Sequence, residues 1–207
     1  MNLEKEIKLA FEEIGSYGDE LAYLGLTTKI EIPFRDWLAV KLHKKSGKEY
    51  MIAREYPEVS ATNNKTLRTD LAILKDGIVK ERVELKACYT FDIPKKNRDY
   101  NLFWNQVLAD YEKHKFIDGN TYFLLLAVHP IDKIEDSKND VIKYYSGHRR
   151  FSKHYTQEEL LKDVKDDIPT EWKTHENLKL KDSGFHEMGE AFGIRVGIVY
   201  YLWEKVN

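Results

Sequence analysis

Two short apolar runs hinged on one turn constrain this chain more than any other feature. Thr69-Asp70-Leu71-Ala72-Ile73-Leu74 and Arg82-Val83-Glu84-Leu85-Lys86-Ala87 both read as strands, and Lys75-Asp76-Gly77 lies between them. Strand alternation puts Glu84 and Lys86 on one face, with Val83, Leu85 and Ala87 on the opposite, apolar one. Where Asp70 falls depends on the turn. A plain two-residue Asp76-Gly77 loop sets Asp70 opposite Val83 and leaves Glu84 on the wrong face. A three-residue loop sets Asp70 opposite Arg82, making Asp70 and Glu84 diagonal neighbours roughly 5–8 Å apart at Cβ. Convergence of the two acids therefore requires an odd loop or a bulge.

The rest of the chain reads as helices and strands around this hairpin. Leu3, Ile7, Ala10, Phe11 and Ile14 recur at helical spacing until Gly15 and Gly18 break the pattern. A second helix is expected from Pro33, carrying Phe34, Trp37, Leu38 and Leu42 inward and ending near Ser46-Gly47. Tyr50 to Val59 reads as a first strand, followed by a polar loop over 60–66. Trp104, Val107, Leu108 and Tyr111 mark one face of a third helix, with Gln106, Asp110 and Lys113 projecting elsewhere. Residues 121–128 are apolar on both faces, as in a central strand covered by helices. Thr156 to Glu159 is a capping box opening a short helix that stops before Pro169. Ile194 to Trp203 is β-branched and aromatic and reads as a closing strand, with a less regular stretch before it. The sum is one mixed α/β domain over residues 1–207.

Composition narrows the function classes. Hydrophobic residues at 42% and charged residues at 33% are ordinary for a globular chain, and a formal charge of −2 excludes nucleic-acid binding through bulk positive charge but not through a local basic groove. The single cysteine, Cys88, precludes an internal disulfide and fits a reducing, cytoplasmic setting. The charged start lacks the apolar core of a signal peptide, and no run approaches the ~20 apolar residues needed to span a bilayer.

Two carboxylates brought together suit a hard divalent cation, and a lysine beside them can orient or deprotonate a water or hold a phosphate. Asp70, Glu84 and Lys86 are thus the candidate catalytic residues for metal-dependent phosphodiester cleavage. The order helix, strand, strand with Arg68-Thr69-Asp70-Leu71-Ala72-Ile73, strand with Val83-Glu84-Leu85-Lys86, helix, strand resembles the PD-(D/E)XK nuclease superfamily over about residues 33–128. Thr69 stands where that family usually has proline. The resemblance implies a restriction-endonuclease-like fold, a mixed central sheet flanked by helices with an αβββαβ core. It implies that Asp70 and Glu84 hold Mg²⁺, with Mn²⁺ able to substitute, and that Lys86 assists the attacking water. It also implies a further acid on the first helix or strand, with Asp36 and Glu55 as the candidates. The substrate expected on this resemblance is DNA, with RNA as the alternative, and a restriction or anti-phage role follows by analogy.

Other features carry weaker expectations. Lys95, Lys96 and Arg98, and the stretch from His148 to His154 with Arg149 and Arg150, are candidate phosphate contacts. Gln106 is a candidate accessory polar residue. His186-Glu187-Met188-Gly189-Glu190 begins like the zinc-binding HExxH helix, but Glu190 replaces the second histidine. Cys88 reads as structural. Cutting both strands of a duplex suggests a homodimer, with Tyr200, Tyr201 and Trp203 and the early helices as its contacts. The rival reading is a non-catalytic module binding nucleic acid or protein on the same scaffold.

Overall fold

A computed structural model describes residues 1–17, 19–59, 66–94, 101–166 and 175–206. Six helices, α1 (Leu3–Glu12), α2 (Asp19–Thr27), α3 (Glu31–Ser46), α4 (Leu102–His114), α5 (Tyr145–Phe151) and α6 (Gln157–Asp166), surround one six-stranded sheet. Its strands are β1 (Tyr50–Val59), β2 (Thr66–Lys75), β3 (Ile78–Tyr89), β4 (Asn120–Pro130), β5 (Leu178–Ala191) and β6 (Ile194–Lys205), in the spatial order β1-β2-β3-β4-β6-β5. Only β3 and β4 run parallel, joined through α4; the other neighbours are antiparallel.

The sheet is covered on both faces, which explains the unbroken apolar run of β4, buried along its whole length except at Asn120. Alternation along β6 sorts the layers. Tyr201 donates its hydroxyl to the Val164 carbonyl of α6, and Trp203 packs on Trp104 of α4. Tyr200, the neighbour of Tyr201 in sequence, stacks at 3.8 Å on Phe11 of α1 on the other face. Thr156 and Glu159 cap α6 reciprocally, as expected: the Thr156 N–H reaches Glu159 Oε2 at 2.8 Å, and the Glu159 N–H reaches Thr156 Oγ1 at 3.1 Å.

Several elements depart from the sequence expectations. Helix α2 follows the glycines that were read as a stop, and buries Leu21, Ala22, Gly25 and Leu26. Helix α3 begins two residues before Pro33. The less regular stretch before the last strand is the long edge strand β5. Strand β6 is consequently interior, and Tyr200, Tyr201 and Trp203 are 2%, 0% and 0% exposed. These three residues form core, so the expected dimer contact through them is overturned. His186 lies on β5, where residues four apart do not share a helical face, and its ring stacks near Phe11 and Tyr200. No described helix is long and apolar enough to cross a membrane.

Candidate active site at the fork between two strands

The hairpin resolves its register with a bulge. Asp76 and Gly77 both adopt positive φ, 53° and 75°, as a two-residue primed turn requires, and Lys75 pairs with Ile78 and Leu74 with Val79. Lys80 is then skipped, so that Ile73 pairs with Glu81 and Leu71 with Val83. One step further along this register Asp70 faces Glu84 directly. The bulge meets the geometric requirement by the second of the two routes, and brings the acids closer than the diagonal placement.

Strands β2 and β3 separate immediately beyond this point, since their pairing ends at Leu71 and Val83 while β3 stays paired with β4 to Tyr89. The open edge of β3 is capped by carboxylates. The Leu85 N–H donates to Asp70 Oδ2 at 2.8 Å, and the Ala87 N–H donates to Glu31 Oε2 at 3.2 Å. Glu31, in the first turn of α3, is thus the third acid of the site, and burial raises its pKa, with Asp70 adding to the rise and Lys86 opposing it. Starting the helix at Pro33 leaves Glu31 outside it, which is why the sequence reading passed over this residue. Asp36 and Glu55, the expected candidates, are engaged by arginines instead. Asp36 pairs with Arg35 at 3.0 Å and Arg54 at 2.8 Å, while Glu55 pairs with Arg35 and lies 3.7 Å from Arg68. They connect to the site only through Arg35, whose guanidinium stands 3.7 Å from Asp70 Oδ1.

Helix α4 closes the site over the same face of β3. His114 Nε2 lies 2.5 Å from Glu84 Oε1, and Lys86 Nζ lies 2.6 Å from Asp110 Oδ2 and 3.0 Å from the Leu85 carbonyl. Asp110 and His114 are a helical turn apart and both buried, so the reading that Asp110 projects elsewhere is corrected. Gln106, one turn earlier, lines a cavity beside the site.

The electrostatics follow from this crowding. Glu84 is 4% exposed, and its pKa is pushed up to about 9 by burial first, then by the charges of Asp70 and Asp110 and a hydrogen bond to Asp70, with Lys86 opposing. His114 is lowered to about 4, chiefly by burial. At neutral pH the close Glu84–His114 contact is therefore a neutral hydrogen bond and not a salt bridge. Glu84 is the partner that keeps a proton, and which of the two groups donates follows from the imidazole tautomer. Burial works against the Lys86 ammonium, but Asp110 outweighs it and holds the pKa above the ordinary lysine value.

No family model matches the chain, and no curated protein or solved structure matches it either.

The donor set can be tested against a divalent cation. Asp70, Glu84 and Glu31 offer oxygen ligands only, which suits Mg²⁺ or Mn²⁺ over softer ions. Burial, and then the Asp70 and Asp110 carboxylates, raise the Glu84 pKa, and a cation at these oxygens would oppose that rise. Among the described residues no group of three His, Cys, Asp or Glu side chains forms a ready cage. The fit is therefore to an ion held by two carboxylates with water or phosphate completing its shell, as Mg²⁺ is commonly held.

Lys95, Lys96 and Arg98 fall outside the described residues. Arg149 and Arg150 are exposed on α5, the first 3.9 Å from Asp136 and the second over the Phe151 ring. His148 is buried edge-on against Tyr89 and Phe91. Cys88 is buried and its thiol pKa is raised well above the ordinary value by burial, in keeping with a structural role.

Proposed function

We propose that this chain is a divalent-metal-dependent nuclease of the PD-(D/E)XK kind, hydrolysing phosphodiester bonds in DNA. The observation that carries the reading is the fork itself. A bulge turns Asp70 to face Glu84 where β2 and β3 part, with Lys86 two residues on and on the same face. The observed order α3-β1-β2-β3-α4-β4 supports the restriction-endonuclease-like core. Mg²⁺ held by Asp70 and Glu84 would supply charge neutralisation at the scissile phosphate and a lowered pKa for a bound water. Glu84 would have to give up its proton to hold the ion. Lys86, kept as an ammonium by Asp110, would orient the attacking water, and Asp110 fixes where that ammonium stands. His114 fixes the Glu84 carboxyl from the other side. Arg35, whose guanidinium stands 3.7 Å from Asp70 Oδ1, is the guanidinium offered to the phosphate.

A second reading, a non-catalytic binding module, draws on one observation: Glu84 and Lys86 are already satisfied by His114 and Asp110. Cleavage separates the two. Supercoiled plasmid, linear duplex, single-stranded DNA and RNA are incubated with Mg²⁺, Mn²⁺ or EDTA. The nuclease reading expects metal-dependent cleavage that falls by roughly 10²- to 10⁴-fold in Lys86→Ala. Absence of cleavage on all four substrates with either metal would leave the binding module.

A further inference from the structure

We propose that the cavity next to the Asp70–Glu84 site is a nucleobase pocket that takes one base of the strand being cut; the proposal rests on the nuclease reading above. The cavity holds about 270 Å³, just under the ~300–1,000 Å³ of drug-sized sites, and so suits a single planar ring system.

Three elements of the site run directly into its wall. Ile30 precedes Glu31, and Ala87 follows Lys86. Gln106 lies one turn of α4, about 5.4 Å, from the Asp110 that pairs with Lys86. A phosphate at the carboxylates therefore places the adjoining nucleotide at the mouth of this cavity.

The wall chemistry selects a flat, heteroaromatic occupant. Tyr89 and Phe91 stack on each other, 4° apart in tilt with ring centroids 5.4 Å apart, and form the buried floor of the cavity. Tyr144 meets Tyr89 edge-on at 72° with centroids 5.5 Å apart, and Tyr144 and Phe103, the more exposed rings of the wall, are the ones on which a base would stack. The Tyr89 hydroxyl is turned inward to the Gly25 carbonyl at 2.9 Å, so this residue presents only its aromatic body. Polar groups of both kinds stand around the rings: the Gln106 carboxamide, the Asp92 carboxylate and the Lys29 ammonium. Stacking faces with a few donors and acceptors are what a base requires, and stacking tolerates every base because each has a π-face.

The wall of the cavity includes backbone that is costly to maintain. Tyr144 has φ 57° without being glycine, and its side chain is 47% exposed at the rim. Left-handed conformations of this sort persist where surrounding structure imposes them, and they cluster at ligand sites.

The test uses the full chain in Mg²⁺, with dAMP, dGMP, dCMP and dTMP as probes and 2-deoxyribose 5-phosphate as the base-free control. None of these contains a phosphodiester, so binding is read without cleavage. Saturation transfer from protein to ligand should be strongest on the base protons. The base-free control should bind more weakly by about 5- to 100-fold, the range expected for one stacked base. Phe103→Ala and Tyr144→Gly should each erase most of that difference. Tyr144→Gly meets no steric penalty at this positive φ, and the thermal midpoint of each variant is read beside binding so that loss of fold is told apart from loss of the base contact. Equal binding of the base-free control, or wild-type binding by both variants, would overturn the pocket. Lys86-dependent cleavage without base-dependent binding removes the pocket alone. Base-dependent binding without cleavage by any metal removes the nuclease reading and leaves a nucleotide-binding pocket.

Discussion

Arg82 and Glu84 stand two residues apart on the same face of β3, each 4% exposed, and their surroundings treat them in opposite ways. Arg82 is matched. Its guanidinium grips Glu58 through Nε at 2.8 Å and Nη2 at 2.6 Å, and Nη1 donates to the Asp118 carbonyl at 2.8 Å. Burial works against the Glu58 carboxylate, but Arg82 and the Thr69 hydroxyl outweigh it and hold the pKa below the ordinary value. Glu84 is mismatched. It meets another acid, its imidazole partner is neutral, and its pKa rises to about 9. Burial is the same for both, so burial alone does not mark a functional site. A buried charge that its neighbours leave uncompensated, beside groups able to hold a cation, does so better.

The largest effect expected from this contrast is on stability. Arg82→Ala strands Glu58 without its counter-ion and leaves the Asp118 carbonyl unpaired, and removing one member of a buried pair costs about 3–5 kcal/mol. Glu84→Gln replaces a carboxyl that is already uncharged, so it should cost little. Urea unfolding of the two variants checks the pair. A loss below about 1 kcal/mol in Arg82→Ala, or a comparable loss in Glu84→Gln, would break the contrast.

A smaller effect ties stability to pH and metal. The folded pKa of Glu84, about 9, lies above its ordinary value of 4.5, so the folded chain keeps a proton that the unfolded chain has lost. Stability from this group is full below pH 4.5 and declines as pH rises towards 9. His114 has the opposite sign: its folded pKa of about 4 lies below 6.5, so its contribution is present above pH 6.5 and lost as pH falls towards 4. Between pH 6.5 and 9 only Glu84 of this pair titrates. Over that window the metal-free midpoint should fall, by at most about 1.4 kcal/mol per pH unit. Mg²⁺ displaces the proton, so its stabilisation should grow across the same window, reaching about 1.4 kcal/mol at ten times Kd. Differential scanning fluorimetry at pH 6.5 and 9, with and without Mg²⁺, reads both trends. Glu84→Gln should flatten them; Mg²⁺ stabilisation that is equal at both pH values would count against ion binding at this carboxyl.

How far the sequence disclosed this arrangement depends on the range of the interactions involved. The hairpin, β1 and the shared face of Glu84 and Lys86 were legible because alternation and turn residues act locally. The Lys80 bulge was legible only as a requirement, since nothing in Lys75-Asp76-Gly77 says which strand takes the extra residue. Asp110 and His114 were missed because their face of α4 is polar, and a polar helical stripe reads as solvated until a charged strand is packed against it. Glu31 was missed by a helix boundary two residues too late. Strand β5 was missed because Gly184, Gly189 and a run of charges depress its propensity, and pairing along β6 overrides that weak local preference.

The smallest effect separates positioning from plain structure. Asp110 pairs with Lys86 at 2.6 Å and also engages Lys113, so on burial and geometry it resembles Glu58. Its charge differs in reach, because it raises the pKa of both Lys86 and Glu84. Asp110→Asn removes that charge while keeping the shape, so both pKa values should fall together. Whichever form of Lys86 the reaction uses, both limbs of the pH profile of kcat/KM should therefore slide towards lower pH. The rate at the optimum should drop by up to about 10-fold, as for partners that orient a site without touching the substrate. Glu58→Gln is the control: it should lower stability and leave the profile in place. A profile unmoved in Asp110→Asn would make Asp110 a second Glu58, and the mismatch at Glu84 would then rest on Asp70 alone.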